Sequence, residues 1–123
     1  MRTSLTLAAV LGFLCVAAGA FAAHGMTDPR AQELLRTGAL YGFVHVLASF
    51  ACLPLAQAGA RRARRAPPFF LAGVVLFSGS LFALAFGAPR LAGAITPFGG
   101  LSFLAGWLVL AWAVRGMKAP PLP

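Results

Sequence analysis

The stretch Arg61-Arg62-Ala63-Arg64-Arg65 decides how the rest of this chain is read. On either side lie roughly 60 residues of mostly apolar sequence with no comparable block of charge, so the run marks a turn between two hydrophobic halves. Of the 123 residues, 60% are hydrophobic and only 10% are charged. A soluble domain keeps about a quarter of its residues charged, so an ordinary water-soluble globule is excluded. The formal net charge is +8, with Asp28 and Glu33 the only acids. The basic residues sit at the ends of apolar stretches and do not interleave with aromatics, which points to membrane topology and away from nucleic acid.

Each half holds two uncharged stretches of membrane-crossing length, giving four predicted spans at about 4–24, 37–59, 68–87 and 96–114. In the first, Leu5 to Ala23 covers about 28 Å at 1.5 Å per residue, close to the ~30 Å thickness of the hydrocarbon layer. Gly12, Cys15, Gly19 and Ala23 fall three or four apart on one face of that helix, as in a packed membrane helix. A competing reading takes Arg2, the Leu/Ala/Val core and Ala20-Phe21-Ala22 as a secretory signal cleaved after Ala22. Asp28 followed by Pro29 reads as an N-cap and first helical residue, starting a helix that continues into the second span. Pro54 is expected to end or kink that span toward the basic run. Thr96 with Pro97 is expected to cap the fourth span, in which Trp107 lies deep and Trp112 near the far interface.

Small residues mark the expected packing faces. These are Gly12 and Gly19 in the first span, Gly38 and Gly42 in the second, Gly79 in the third, and Gly99, Gly100 and Gly106 in the fourth. Leu7 to Phe13 resembles Leu71 to Phe77, which would fit a parallel duplication of a two-helix hairpin. With the basic run placed in the cytoplasm, Arg2, Arg115 and Lys118 fall on the same side, leaving Arg30, Arg36 and Arg90 outside. Both termini are then cytoplasmic. Residues 117–123 read as a disordered, proline-rich tail.

No Asp, Glu, Lys or Arg falls inside a span, which argues against a proton pump, an antiporter of charged substrates or a voltage sensor. The polar candidates are His24, Tyr41, His45, Ser78, Ser80 and Thr96; Cys15 and Cys52 stand alone and read as small core fillers. Tyr41 and His45 share a face of the second helix, and an antiparallel hairpin would bring His24 nearest the level of Tyr41. The expectation is an interhelical polar network that fixes packing. A metal or haem site on the two histidines is the sharper alternative, but it lacks a neighbouring carboxylate or thiolate, so no metal and no cofactor are expected. Arg61, Arg62, Arg64 and Arg65 read as topology determinants or as a seat for lipid headgroups. Phe69, Phe70, Phe77 and Phe82 read as lipid-facing or core packing.

Several separate words stand out along the chain: Gly19-Ala20-Phe21-Ala22-Ala23-His24-Gly25, Tyr41 with His45, Leu76-Phe77-Ser78-Gly79-Ser80-Leu81, Thr96-Pro97-Phe98-Gly99-Gly100 and Phe103-Leu104-Ala105-Gly106-Trp107. Together they resemble the YgdD family of small four-helix inner-membrane proteins, a family of unknown function with eukaryotic transmembrane relatives. The resemblance runs from about Leu5 to Val114. It implies four spans with the first retained, and it brings no established activity. Two departures are Ala22, where the family usually has glycine, and Gly42, where glutamine often follows the tyrosine.

The reading is an all-α, integral membrane four-helix bundle of the bacterial inner membrane, two antiparallel hairpins joined by a basic cytoplasmic loop. Its expected role is that of a non-enzymatic structural, accessory or interaction protein, with the lipid bilayer and a protein partner or second copy as its surroundings. The alternative is a small transporter or channel for a neutral solute, using Tyr41, His45, Ser78, Ser80 and Thr96 along an interhelical path.

Overall fold

The structure is a computed structural model that describes residues 1–118; residues 119–123 of the proline-rich tail lie outside the described residues. Four segments are long and apolar enough to cross a membrane: Arg2–His24, Pro29–Gln57, Arg61–Ala85 and Arg90–Arg115. The first two are the helices α1 (Arg2–His24) and α2 (Pro29–Gln57). The third opens with a 3-10 turn, Arg61–Arg65, and continues as α3 (Ala66–Gly73), a π-helical turn (Val74–Ser78) and α4 (Gly79–Ala85). The fourth is a 3-10 turn, Arg90–Ala94, followed by α5 (Thr96–Arg115). There is no strand among the described residues.

Local chemistry sets most of the helix ends. Asp28 accepts the Ala31 N–H at 3.2 Å with Pro29 as first helical residue, so α2 begins where a donor-free residue costs nothing. It ends in a Schellman motif. Gly59 sits at φ +116, Ala60 N–H reaches the Leu55 carbonyl at 2.9 Å, and Gly59 N–H reaches Ala56 at 3.3 Å. The same motif closes α4, with Gly87 at φ +96 and Ala88 N–H on the Ala83 carbonyl at 2.9 Å. Pro54 does not end α2, which runs through it to Gln57: a proline removes one donor, and the carbonyl of Pro54 still receives the Ala58 N–H at 2.9 Å. Nor does the Thr96 side chain cap α5. The preceding 3-10 turn already places the Ile95 carbonyl under the N–H groups of Phe98 and Gly99, leaving Thr96 free for another partner.

The distribution of side-chain size is inverted relative to a water-soluble protein. The buried set is dominated by alanines, among them Ala8, Ala22, Ala39, Ala56 and Ala63, with Cys15, Cys52, Ser49 and Ser78. Phe13 and Leu108, by contrast, are each 73% exposed. In lipid, an exposed large apolar side chain carries no penalty and helices gain by close approach, so small residues face inward. At one end Ala48, Cys52, Ala56, Ala60, Ala63, Ala66, Phe70 and Ala113 form one cluster against which Met1 and Met117 pack. Both ends of the described chain therefore lie with the basic turn. Ala8, Val46, Leu71, Val74 and Phe103 form a second cluster. Ala22, after which a signal would be cut, is fully buried within α1.

The expected packing glycines divide into three groups. A Cβ on Gly38 or Gly106 would stand 2.6 Å from the ring of Phe82 or Phe70, and one on Gly42 or Gly99 would collide with Cys15 Sγ or with the backbone of Phe77. Gly12 and Gly19 have ordinary van der Waals neighbours in Val46 and Ala39. Gly79 and Gly100 meet nothing within 4 Å, because each lines a cleft and not a helix contact. Gly99→Ala is therefore expected to lower stability by about 1–3 kcal/mol, and Gly100→Ala to stay within about 0.5 kcal/mol of the parent, in thermal unfolding of detergent-solubilised protein followed by circular dichroism.

Candidate functional site

The π turn Val74–Ser78 is the structural centre of the bundle. Such turns widen a helix by one residue and disturb its regular hydrogen bonding, so neighbouring groups must come close to support it. Gly99 of α5 lies against the backbone of Phe77, and Gly73 against the ring of Phe103. Ser78 donates to the Gly38 carbonyl of α2 at 2.6 Å, reachable because a Cβ on Gly42, one turn on, would already be 3.2 Å from Ser78 Oγ. Ser80 donates to the Phe77 carbonyl at 2.9 Å. Its hydroxyl has one proton, so the Thr96 hydroxyl donates to Ser80 Oγ across 2.5 Å.

Beside this junction stands His45, buried within α2. Trp107 of α5 donates its indole N–H to Nε2 at 3.0 Å, and Nδ1 lies 2.6 Å from the Tyr41 carbonyl. An indole can only donate, so Nε2 accepts and the ring proton sits on Nδ1, directed at Tyr41. The imidazole stacks on Phe103 with ring centres 3.6 Å apart and planes 8° from parallel. Phe70 and Trp107, 5.0 Å apart, are its other ring neighbours, with centres 5.6 and 5.8 Å from that of the imidazole. Both nitrogens are engaged, so a metal at His45 would have to displace the indole.

The imidazole, with Phe103 and Trp107, lines a groove of about 750 Å3 between α2 and α5. Leu40, Tyr41 and Val44 make one wall, Pro97, Gly100, Leu101 and Leu104 the other, with Phe77, Phe103 and Trp107 between them. Its wall residues Leu40, Val44, Leu101 and Leu104 are exposed midway along α2 and α5, so the groove is open along the sides of these two helices. Its volume falls within the range of small-molecule clefts, and its lining is almost wholly apolar and aromatic.

Comparison with known proteins places the chain. Residues 18–100 match the family described as a protein of unknown function, DUF423. The chain belongs to the DUF423 family. A UPF0382 membrane protein of Haemophilus influenzae is 45% identical over 111 residues, covering 88% of this chain and 90% of its own. The UPF0382 inner membrane protein YgdD of Escherichia coli K12 is 44% identical over 122 residues, covering 93% and 91%. The UPF0382 membrane protein YwdK of Bacillus subtilis is 36% identical over 118 residues, covering 92% and 96%. No solved structure matches.

In this DUF423 chain the six polar candidates fall into separate local sets. His45 pairs with Trp107 and the backbone of Tyr41, Ser78 with Gly38, and Ser80 with Thr96. The Tyr41 ring stands over Phe77 at 4.9 Å, on the groove wall. His24 is exposed in the last turn of α1 and shares none of these hydrogen bonds. The described residues hold no group of three or more His, Cys, Asp or Glu able to hold a metal. Of the four phenylalanines singled out, Phe70 is fully buried, Phe69 is exposed, Phe77 lines the groove and Phe82 sits on Gly38.

Sequence reasoning did not find Trp107 as the partner of His45, nor Phe103 and Gly73 as its support. Phe103 and Trp107 are four apart on the same face of α5, the one signal available. Trp107→Phe keeps the ring and removes the donor to a buried acceptor. It is expected to lower stability by about 1 kcal/mol in the same thermal assay, whereas the change at Trp112, outside this cluster, should not disturb His45.

Proposed function

We propose that this chain is a non-enzymatic accessory protein of the bacterial inner membrane that works by holding an apolar partner in the groove between α2 and α5. The observation that carries the reading is the groove itself, laterally open and lined by aliphatic and aromatic side chains over a hydrogen-bonded imidazole. The serine and threonine hydroxyls that a solute path would need are engaged within the chain, which favours binding over passage. The positive-inside rule supports an orientation with the Arg61–Arg65 turn and both termini in the cytoplasm. The burial of Ala22 against the bundle supports retention of α1 in the mature protein.

Gly100 provides the test, because its Cβ direction is open and points into the groove. Parent protein and Gly100→Trp are extracted gently from their own membrane, and everything retained is measured by mass spectrometry. The parent is expected to retain a stoichiometric partner, protein or lipid, that the tryptophan variant loses by about tenfold with unchanged thermal unfolding. A parent that emerges as a solitary monomer with nothing bound, or a partner indifferent to the tryptophan, would sink the proposal.

A further inference from the structure

The residues Ala60-Arg61-Arg62-Ala63-Arg64-Arg65-Ala66 repeat with period three, and Arg61–Arg65 is a 3-10 helix, which has three residues per turn. Pitch and period agree, so the side chains sort into three columns. Ala60, Ala63 and Ala66 form one, at 2% exposure or less, in the cluster that includes Cys52, Phe70 and Ala113. Arg61 with Arg64, and Arg62 with Arg65, form the other two, all four exposed. An α-helical turn would swing successive residues by about 100° and break this sorting.

The arginines differ in what holds them. Arg62 lies over the Trp112 ring, its guanidinium carbon 4.1 Å from the ring centre, beside Gly116 at the end of α5. It straps the turn to α5 and is a positioning residue. No hydrogen bond, ion pair or ring contact holds Arg61, Arg64 or Arg65 among the described residues. The two acidic side chains of the chain belong elsewhere: Asp28 caps α2 and shares a cleft with Gly87 and Arg90, and Glu33 follows in the next turn. The turn also opens the third span at its helix N-terminus, where the backbone already carries partial positive charge. Cations gathered there oppose the helix dipole until an anion joins them. At the end of a membrane span the concentrated anion is lipid phosphate.

We propose that Arg61, Arg64 and Arg65 form a seat for the phosphate of an anionic phospholipid. Arg61 and Arg64, one 3-10 turn or about 6 Å apart along the axis, close on it as paired guanidinium forks, and Arg65 stands alongside. The buried alanine column fixes the turn beneath them, and Arg62 fixes its rotation against α5. The seat lies at the basic end of the bundle and does not depend on the α2–α5 groove.

The test titrates the full chain in mild detergent with phosphatidylglycerol, cardiolipin, phosphatidylcholine and, separately, inorganic phosphate, reading bound species by native mass spectrometry. The anionic lipids are expected to bind at least about tenfold tighter than phosphatidylcholine, and R61Q/R64Q/R65Q to weaken them about a hundredfold. R30Q/R36Q/R90Q removes the same charge from the opposite end and is expected to leave binding within about twofold of the parent. R61K/R64K/R65K keeps charge and membrane orientation but offers no planar fork, and is expected to lose about tenfold. It carries the test if the glutamine triple does not fold. The proposal is overturned by equal binding of phosphatidylcholine, by equal losses in the two glutamine triples, or by a lysine triple that matches the parent. Inorganic phosphate that binds and displaces the lipid at millimolar concentration would make the seat one for a free anion and overturn it equally.

Discussion

Everything in this bundle depends on how closely the backbone of α5 approaches the backbone of the third span, at Gly99 and Phe77. Lipid gives no hydrophobic reward for bringing two apolar helices together, so the attraction must come from dispersion between closely fitted surfaces and from hydrogen bonds that water does not compete for. A missing Cβ at Gly99 supplies the first. The second comes from hydroxyls that bond backbone carbonyls across or along helices, Ser78 to Gly38, Ser80 to Phe77 and Ser102 to Phe69. Where these contacts are made, the helices touch; beyond them α2 and α5 part, and the groove is what remains between them.

The π turn explains why the close contacts and the opening lie side by side. Widening the helix at Val74–Ser78 pushes the backbone toward Gly99 and turns the Phe77 side chain to the groove wall. Phe103 then lies flat between Gly73 and the imidazole of His45, and the indole of Trp107 secures the imidazole from α5. A histidine held by one donor and one acceptor has a fixed ring orientation and a fixed tautomer. It acts here as a rigid polar plate in an aromatic setting.

How much of this was legible varied with how local the cause was. Hydropathy is a property of a segment, so four spans and the basic turn could be read directly from uncharged stretches and the run Arg61 to Arg65. The Asp28-Pro29 start of α2 is also local, since cap and first residue are neighbours. Thr96 shows the limit of local rules: it has the chemistry of a cap, but the Ile95 carbonyl had already taken the N–H groups that a cap would serve; Pro54, expected to end or kink α2, does not end it, because the helix loses only one donor there. The π turn left no compositional mark, because it arises from what packs on either side. The pairing of His45 with Trp107 spans 62 positions, and no spacing within one helix reveals it. Glycine spacing showed where helices could be thin but not what faces the thin side, so Gly79 and Gly100 looked like Gly38 and Gly99 although they line clefts.

Were the groove to hold an apolar partner as proposed, its sideways opening would set how that partner arrives. A cleft that faces bulk water samples ligand at its aqueous concentration, whereas one that faces hydrocarbon samples only what has already dissolved in the bilayer, diffusing in two dimensions. Partition into the membrane concentrates an apolar molecule in proportion to the surface it hides from water, about 0.8 kcal/mol for each buried methylene. Modest contact inside the groove would then be enough for high occupancy. The selectivity of such a site resides partly in the bilayer, which decides what reaches the entrance before any side chain does.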